Sequence, residues 1–199
     1  SKLKIFTKKF IPFLKNFINK YFYKATNFLN YINREPLFKF MIKSLLNKKK
    51  ILFYDIGSND GSESVLVLKK NIESKSIIIE PYKKHIEIIK ERLSKLKINK
   101  NKYKILNFAA SNKNYIGNFY INLKLSNLST SFKQNEGKSI KIKYKKLSSL
   151  LSKKKNNNFI IFKMDLEGSE YYVLKDIIKF LIKNKNIAIL IELHPTKYK

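Results

Sequence analysis

The chain has 199 residues, 44% of them hydrophobic, enough for one α/β domain with a substantial core and an additional segment. It contains no cysteine, which excludes disulfides and thiolate metal sites, and no apolar run reaches the roughly 18 residues a membrane-spanning helix needs. The formal net charge of +29 rests almost wholly on lysine; with Arg34 and Arg92 the sole arginines, the bidentate phosphate reader is scarce, which argues against a dedicated nucleic-acid partner.

Residues 1–48 come first. Phe6, Phe10, Phe17, Tyr21 and Phe28 recur at helical steps among Lys and Asn, a basic amphipathic pattern interrupted near Pro12 and ended near Pro36. Two readings of its aromatic face stay open: contact with a membrane surface, or packing on the following domain or on a second copy of the chain. Lys15 and Lys20 break any signal-peptide core, so the expected location is cytoplasmic, with peripheral membrane contact or self-association through residues 1–48. A start on Ser1 rather than Met points to a processed, trimmed or incomplete product.

From Ile51 the rhythm becomes strand, turn, helix. Ile51–Ile56 reads as a buried strand, followed by the turn Gly57-Ser-Asn-Asp-Gly61 and a helix over Ser62–Lys70. The glycines suit a tight turn that a ligand can approach, and Asp60 and Glu63 have capping-box spacing. Ser76–Glu80 is a second strand, and Pro81 suits the first turn of a helix reaching Leu96, with Ile86, Ile89, Leu93 and Leu96 on one face and His85 as a solvated residue among lysines. Tyr103–Ala110 reads as a third strand. Asn118–Leu123 and Ser139–Tyr144 alternate as an antiparallel pair joined by a long polar loop. Phe159–Asp165, a helix over Ser169–Lys183 and Ile187–Glu192 complete the pattern of a doubly wound, mostly parallel sheet.

The acids are the informative minority, 14 against 43 basic residues. Asp55, Asp60, Glu63, Glu80, Asp165, Glu167, Glu170 and Glu192 fall at or beyond strand ends, where an open parallel sheet has its ligand crevice. Glu80 lies 80 − 61 = 19 residues after Gly61, close to the spacing of about 20 at which such folds set a carboxylate on ribose hydroxyls. Asp165 and Glu167, like Glu192 and His194, stand two apart in extended chain, so each pair aims at one crevice, and Pro195 keeps His194 extended. Glu63 and Glu170 are better read as charges that favour helix first turns.

Asp55-Ile-Gly-Ser-Asn-Asp-Gly61, Ile79-Glu-Pro81, Ala109-Ala-Ser111, Lys163-Met-Asp-Leu-Glu-Gly-Ser-Glu170 with Val173-Leu-Lys175, and Ile191-Glu-Leu-His194 together resemble an FkbM-type methyltransferase, a branch of the class I S-adenosylmethionine-dependent enzymes. The resemblance spans about Ile51 to Pro195. It implies a Rossmann-like α/β domain over residues 49–199, behind the helical extension 1–48. It also implies that Asp55, Gly57, Asn59 and Gly61 hold the methionine end of S-adenosylmethionine, Glu80 its ribose, and Ala110 and Ser111 its adenine edge, with Asp165 also at the cofactor. The implied acceptor is a hydroxyl of a small molecule or glycan. No Gly-rich loop ending in Gly-Lys-Ser/Thr is present, as suits a cofactor without phosphate.

Two departures stand out. Leu147-Ser148 occupies a place where the family usually has Leu-Asp, and the chain stops at Lys199, before the helix and β-hairpin that usually complete such a sheet; a missing C-terminal hairpin is the expectation. His194, whose imidazole titrates near neutrality, is the leading general base, with Asp165 and Glu167 behind it. A minority reading gathers Asp165, Glu167, Glu192 and His194 around a divalent metal. Competing readings are a nucleic-acid methyltransferase, for which the Asn/Asp-Pro-Pro-aromatic motif is absent, and an NAD enzyme, for which the third fingerprint glycine is absent. A non-catalytic membrane-surface or partner-binding module on the same fold is the last.

Overall fold

The computed structural model describes residues 34–48, 50–121, 138–151 and 158–192; the expected helices before Arg34 and the residue His194 lie outside them. The chain divides into two units between Phe40 and Met41, and the sheets belong to the second. After α1 (Arg34–Leu45), Asn71 donates its side-chain amide to the carbonyls of Leu46 and Lys48, at 3.1 and 2.7 Å, fastening the incoming chain to the exit of the next helix.

The main sheet has five parallel strands in the order β3-β2-β1-β7-β8: β1 (Ile51–Ile56), β2 (Lys75–Ile79), β3 (Tyr103–Leu106), β7 (Phe159–Met164) and β8 (Ile187–Ile191). Their near-continuous apolar runs are what a sheet covered on both faces requires. On one face Ile78 packs with Leu68 of α2 (Ser62–Lys70) and with Ile89 and Leu93 of α3 (Lys83–Lys95). On the other, Tyr54, Phe162 and Met164 pack with Val173 and Ile177 of α4 (Glu170–Lys183) and with Leu147 of a 3-10 turn. Tyr54 and Phe162, register partners on β1 and β7, stack at 4.8 Å, and burying each large side chain of this kind contributes about 1.5–3 kcal/mol. Strand order reverses between β1 and β7, which puts the topological switch point beside the turn after β1.

A second, three-stranded sheet combines β4 (Ala109–Ser111), β6 (Lys138–Lys146) and β5 (Tyr115–Ile121), with β6 in the centre, parallel to β4 and antiparallel to β5. The expected antiparallel pair is therefore present, but it joins this small sheet rather than the parallel one. Tyr103–Ala110 is correspondingly two strands, not one. Asn107 donates its amide to the carbonyls of Glu80 and Pro81 at 3.1 and 2.8 Å, which turns the chain between them. Pro81 lies outside α3: Tyr82 is the N-cap, held extended while its N–H bonds the Glu80 carboxylate at 2.9 Å. Ser148, at the Leu-Asp departure, donates both its N–H and its hydroxyl to Asp176 of α4, at 2.7 and 2.8 Å.

Candidate active site

The turn after β1 lies against the end of β2. The N–H groups of Gly57 and Ser58 both donate to the Ile79 carbonyl, at 3.0 and 3.3 Å, and Gly61 N–H closes onto Ser58 at 3.0 Å. Gly57, Asn59 and Gly61 all have left-handed backbone, with φ of 71°, 54° and 76°. The glycines serve the protein's own packing before any ligand's. A Cβ on Gly57 would sit 1.9 Å from the backbone oxygen of Asp165, and one on Gly61 would press on Ile89 of α3 at 3.1 Å. Asn59 N–H donates to Glu80 Oε2 at 2.9 Å, so Glu80 points toward this turn.

Glu80 is 4% exposed. Its Oε1 accepts from Tyr82 N–H and lies 3.4 Å from Nδ1 of His85. His85 is itself buried, at 6% exposure, with its ring edge-on to Tyr82 at 4.9 Å. The expectation of a solvated His85 is thus corrected. It stands four residues before Ile89 and eight before Leu93, on the helical face that turns inward, whereas Leu96 lies past the helix end and is exposed.

Behind the turn lies a buried charge network. Asp55 is 0% exposed; its Oδ2 accepts from the hydroxyls of Ser58 and Ser64 at 2.8 and 2.6 Å, and Ser64 meets Ser76 of β2 at 2.9 Å. Its Oδ1 faces Lys163 Nζ at 3.7 Å. Lys163, on β7 directly opposite Asp55, donates to the Gly57 carbonyl at 2.7 Å. Burial alone would pull the lysine's pKa down; the carboxylates of Asp55, Asp165, Glu63 and Glu80 outweigh it and hold the ammonium above its ordinary value. Glu63 is buried too, and burial together with the Asp55 charge raises its pKa, against the opposing pull of Lys163.

The capping box does not form. Gly61 is the N-cap, and its left-handed backbone leaves Asp60 one residue outside, where Oδ1 accepts from Ser62 N–H at 3.0 Å and Oδ2 pairs with Arg92 at 2.7 Å. Because the native state holds a proton on Glu63 that the unfolded chain has lost, stability falls as pH rises from 4.5 through the raised value, and the contribution is fully present only below 4.5. Glu63→Gln is therefore expected to raise Tm near neutral pH, with the gap over wild type closing as pH approaches 4.5. Thermal melts across that range check this, and a gap independent of pH would refute the electrostatic origin.

The loop after β7 forms the other wall of the switch point. Asp165 N–H donates to the Ile56 carbonyl at 3.1 Å, and Glu167 and Gly168 have φ of 49° and 108°. Glu170 Oε1 accepts from the N–H groups of Leu166 and Gly168, at 3.0 and 3.1 Å, so this acid, standing in the first turn of α4, folds back to fasten the preceding loop rather than capping its own helix. Asp165 and Glu167 are half-buried here, and Glu192, also half-buried, ends β8 with its N–H on the Met164 carbonyl at 2.9 Å. Among the described residues no three His, Asp or Glu side chains are grouped to hold a metal ion. Ala110 packs into the main core, while Ser111 lies by the hydroxyl of Tyr115, a phenol whose pKa burial raises.

Asp55, Glu80 and Asp165 thus gather around Lys163, a residue the acid-centred reading of the sequence passes over. The signal was a lysine inside the otherwise apolar strand Phe-Ile-Ile-Phe-Lys-Met.

No helix of the described residues is long and apolar enough to cross a membrane. Residues 55–199 match the family described as the methyltransferase FkbM domain. The chain is also similar to the crystal structure of methyltransferase FkbM from Methylobacillus flagellatus KT, at 15% identity and a TM-score of 0.46, over 71% of this chain and 32% of that one. It spans about a third of that protein's length. No curated protein matches. With its matching segment running from the β1 acid through the last strand, the chain belongs to the FkbM methyltransferase family.

Proposed function

We propose that the chain is an S-adenosylmethionine-dependent O-methyltransferase acting on a hydroxyl of a small molecule or glycan. The observation that carries this reading is the Glu80 carboxylate, drawn onto the turn after β1 by Asn59 N–H at 2.9 Å, at the switch point of a parallel sheet. Backbone N–H groups fill two of the roughly four lone-pair sites of that carboxylate and His85 faces a third, leaving about one for a ligand hydroxyl. One ribose hydroxyl of a phosphate-free adenosyl group fits that remaining acceptor site.

In this reading Gly57, Asn59 and Gly61 shape the bed for the methionine end, with Asp55 holding the turn from behind. Glu80 accepts from ribose, and the Ala110–Ser111 strand borders adenine. When bound, S-adenosylmethionine supplies a methyl group on a sulfonium whose departure leaves a neutral thioether. The protein's task is then alignment, which is worth up to roughly 7–11 kcal/mol in the best intramolecular cases, and removal of one proton. His194 takes the acceptor hydroxyl proton on an imidazole nitrogen, a contribution of about 10²–10⁴-fold, with Asp165 and Glu167 holding the acceptor side.

Calorimetric titration of the purified chain with S-adenosylmethionine tests the cofactor, and an acceptor screen of sugars and polysaccharide precursors with methyl-labelled cofactor tests the reaction. No heat at high cofactor concentration would end the proposal. His194→Ala is expected to lower kcat by about 10²-fold or more while leaving cofactor affinity nearly unchanged. Wild-type turnover in that variant would remove His194 as the base.

A further inference from the structure

We infer that Lys163 is a positioning residue for the cofactor bed: its ammonium, by holding the Gly57 carbonyl, fixes the peptide that aims Asn59 N–H at Glu80. The inference rests on the cofactor reading above and extends it to a residue on the opposite strand.

Three observations support it. Among the described residues Lys163 is the one lysine that is buried, at 4% exposure. Burying an ammonium is unfavourable, so its place must be set by partners. The short contact, 2.7 Å, is to the Gly57 carbonyl, while the nearest carboxylate oxygen, Asp55 Oδ1, is 3.7 Å away. A lysine present only to neutralise Asp55 would close on that carboxylate first. Third, Gly57 is already confined on its other sides: its N–H is held by Ile79, and the Asp165 carbonyl leaves no room for a Cβ. Lys163 takes the remaining polar atom of the residue. With both N–H and carbonyl fixed, the next peptides are carried to Asn59, whose N–H meets Glu80 at 2.9 Å.

The experiment separates clamp from counter-charge. Lys163→Met alone strands Asp55, so it is paired with Asp55→Asn; the asparagine keeps one oxygen for Ser58 and Ser64 and removes the unpaired charge. Tm, S-adenosylmethionine affinity by calorimetry and hydrogen exchange of the amides of residues 57–61 are measured on wild type, Lys163→Met, Lys163→Arg, Asp55→Asn and the double variant. The double variant is expected to recover much of the Tm lost by Lys163→Met. Its cofactor affinity should nonetheless stay about tenfold or more below that of Asp55→Asn alone, the effect of one hydrogen bond to a charged group, with faster exchange at the turn. Lys163→Arg keeps the charge but not the compact donor, and is expected to fold while showing the same two turn defects to a smaller degree. A double variant with the affinity and exchange of Asp55→Asn alone would overturn the inference and leave Lys163 a counter-charge. If neither methionine variant folds, Lys163→Arg decides by the same two readouts. If wild type itself binds no S-adenosylmethionine, the cofactor reading fails, and turn exchange alone still decides the clamp.

Discussion

Gly57→Ala is expected to leave too little folded protein to assay. A side chain at φ 71° costs about 1–2 kcal/mol from conformation alone. The larger cost is contact: the new Cβ would lie 1.9 Å from the Asp165 carbonyl oxygen, a backbone atom that no rotamer change can move. Relief requires the ends of β1 and β7 to part, breaking the bond from Asp165 N–H to the Ile56 carbonyl. A loss above about 4 kcal/mol is reserved for defects of this kind and is comparable to the whole stability of many domains. Gly61→Ala is the matched control. Its φ is similar, but the neighbour is the Ile89 side chain at 3.1 Å, which can give way, so a loss of about 1–2 kcal/mol, the conformational cost alone, is expected. Soluble yield and thermal melts of both variants check the contrast, and equal effects would show that the carbonyl contact is unimportant.

Glu80→Ala is the second large effect, and it should appear in both folding and binding. The substitution strips the acceptor from two backbone donors, Asn59 N–H and Tyr82 N–H, in a region where the carboxylate is nearly sealed from water. Each stranded donor costs about 1–3 kcal/mol, so destabilisation of about 2–6 kcal/mol is expected. Affinity for S-adenosylmethionine should fall by about a hundredfold, equivalent to about 2.7 kcal/mol, because the turn loses its anchor together with the ribose acceptor. Glu80→Gln keeps one oxygen and should fold better than the alanine variant while still binding weakly. Calorimetry on both, with melts alongside, makes the test; wild-type affinity in Glu80→Ala would detach Glu80 from the cofactor.

The stretch from Ile51 to Lys70 was the most legible, since an apolar run ending in an acid and two glycines admits few structures besides strand, turn and helix. What sequence could not give was register. Nothing along the chain says that Lys163 lies opposite Asp55, or that Glu63 turns inward beside them, because those contacts exist only once β1 and β7 pair. The acids were rightly placed at strand ends, but their directions differ. Asp55 and Glu63 face the interior, Asp60 pairs with Arg92, Glu170 holds the loop before its helix, and Glu80 reaches the turn. Tyr103–Ala110 looked like one strand because Asn107 is one polar residue inside a mostly apolar run; the break is made by Asn107 bonding to a distant segment. His85 was legible in principle, since its spacing to Ile89 and Leu93 is helical, but its lysine neighbours masked the face it shares with them.

The contact between Gly57 and Asp165 carries one more consequence. Where two strand termini abut with no space for even a methyl group, the base of the cleft cannot yield when something settles on it. In the cofactor reading, a ligand settling on this floor would meet a template already in shape and give up mainly its own freedom on binding.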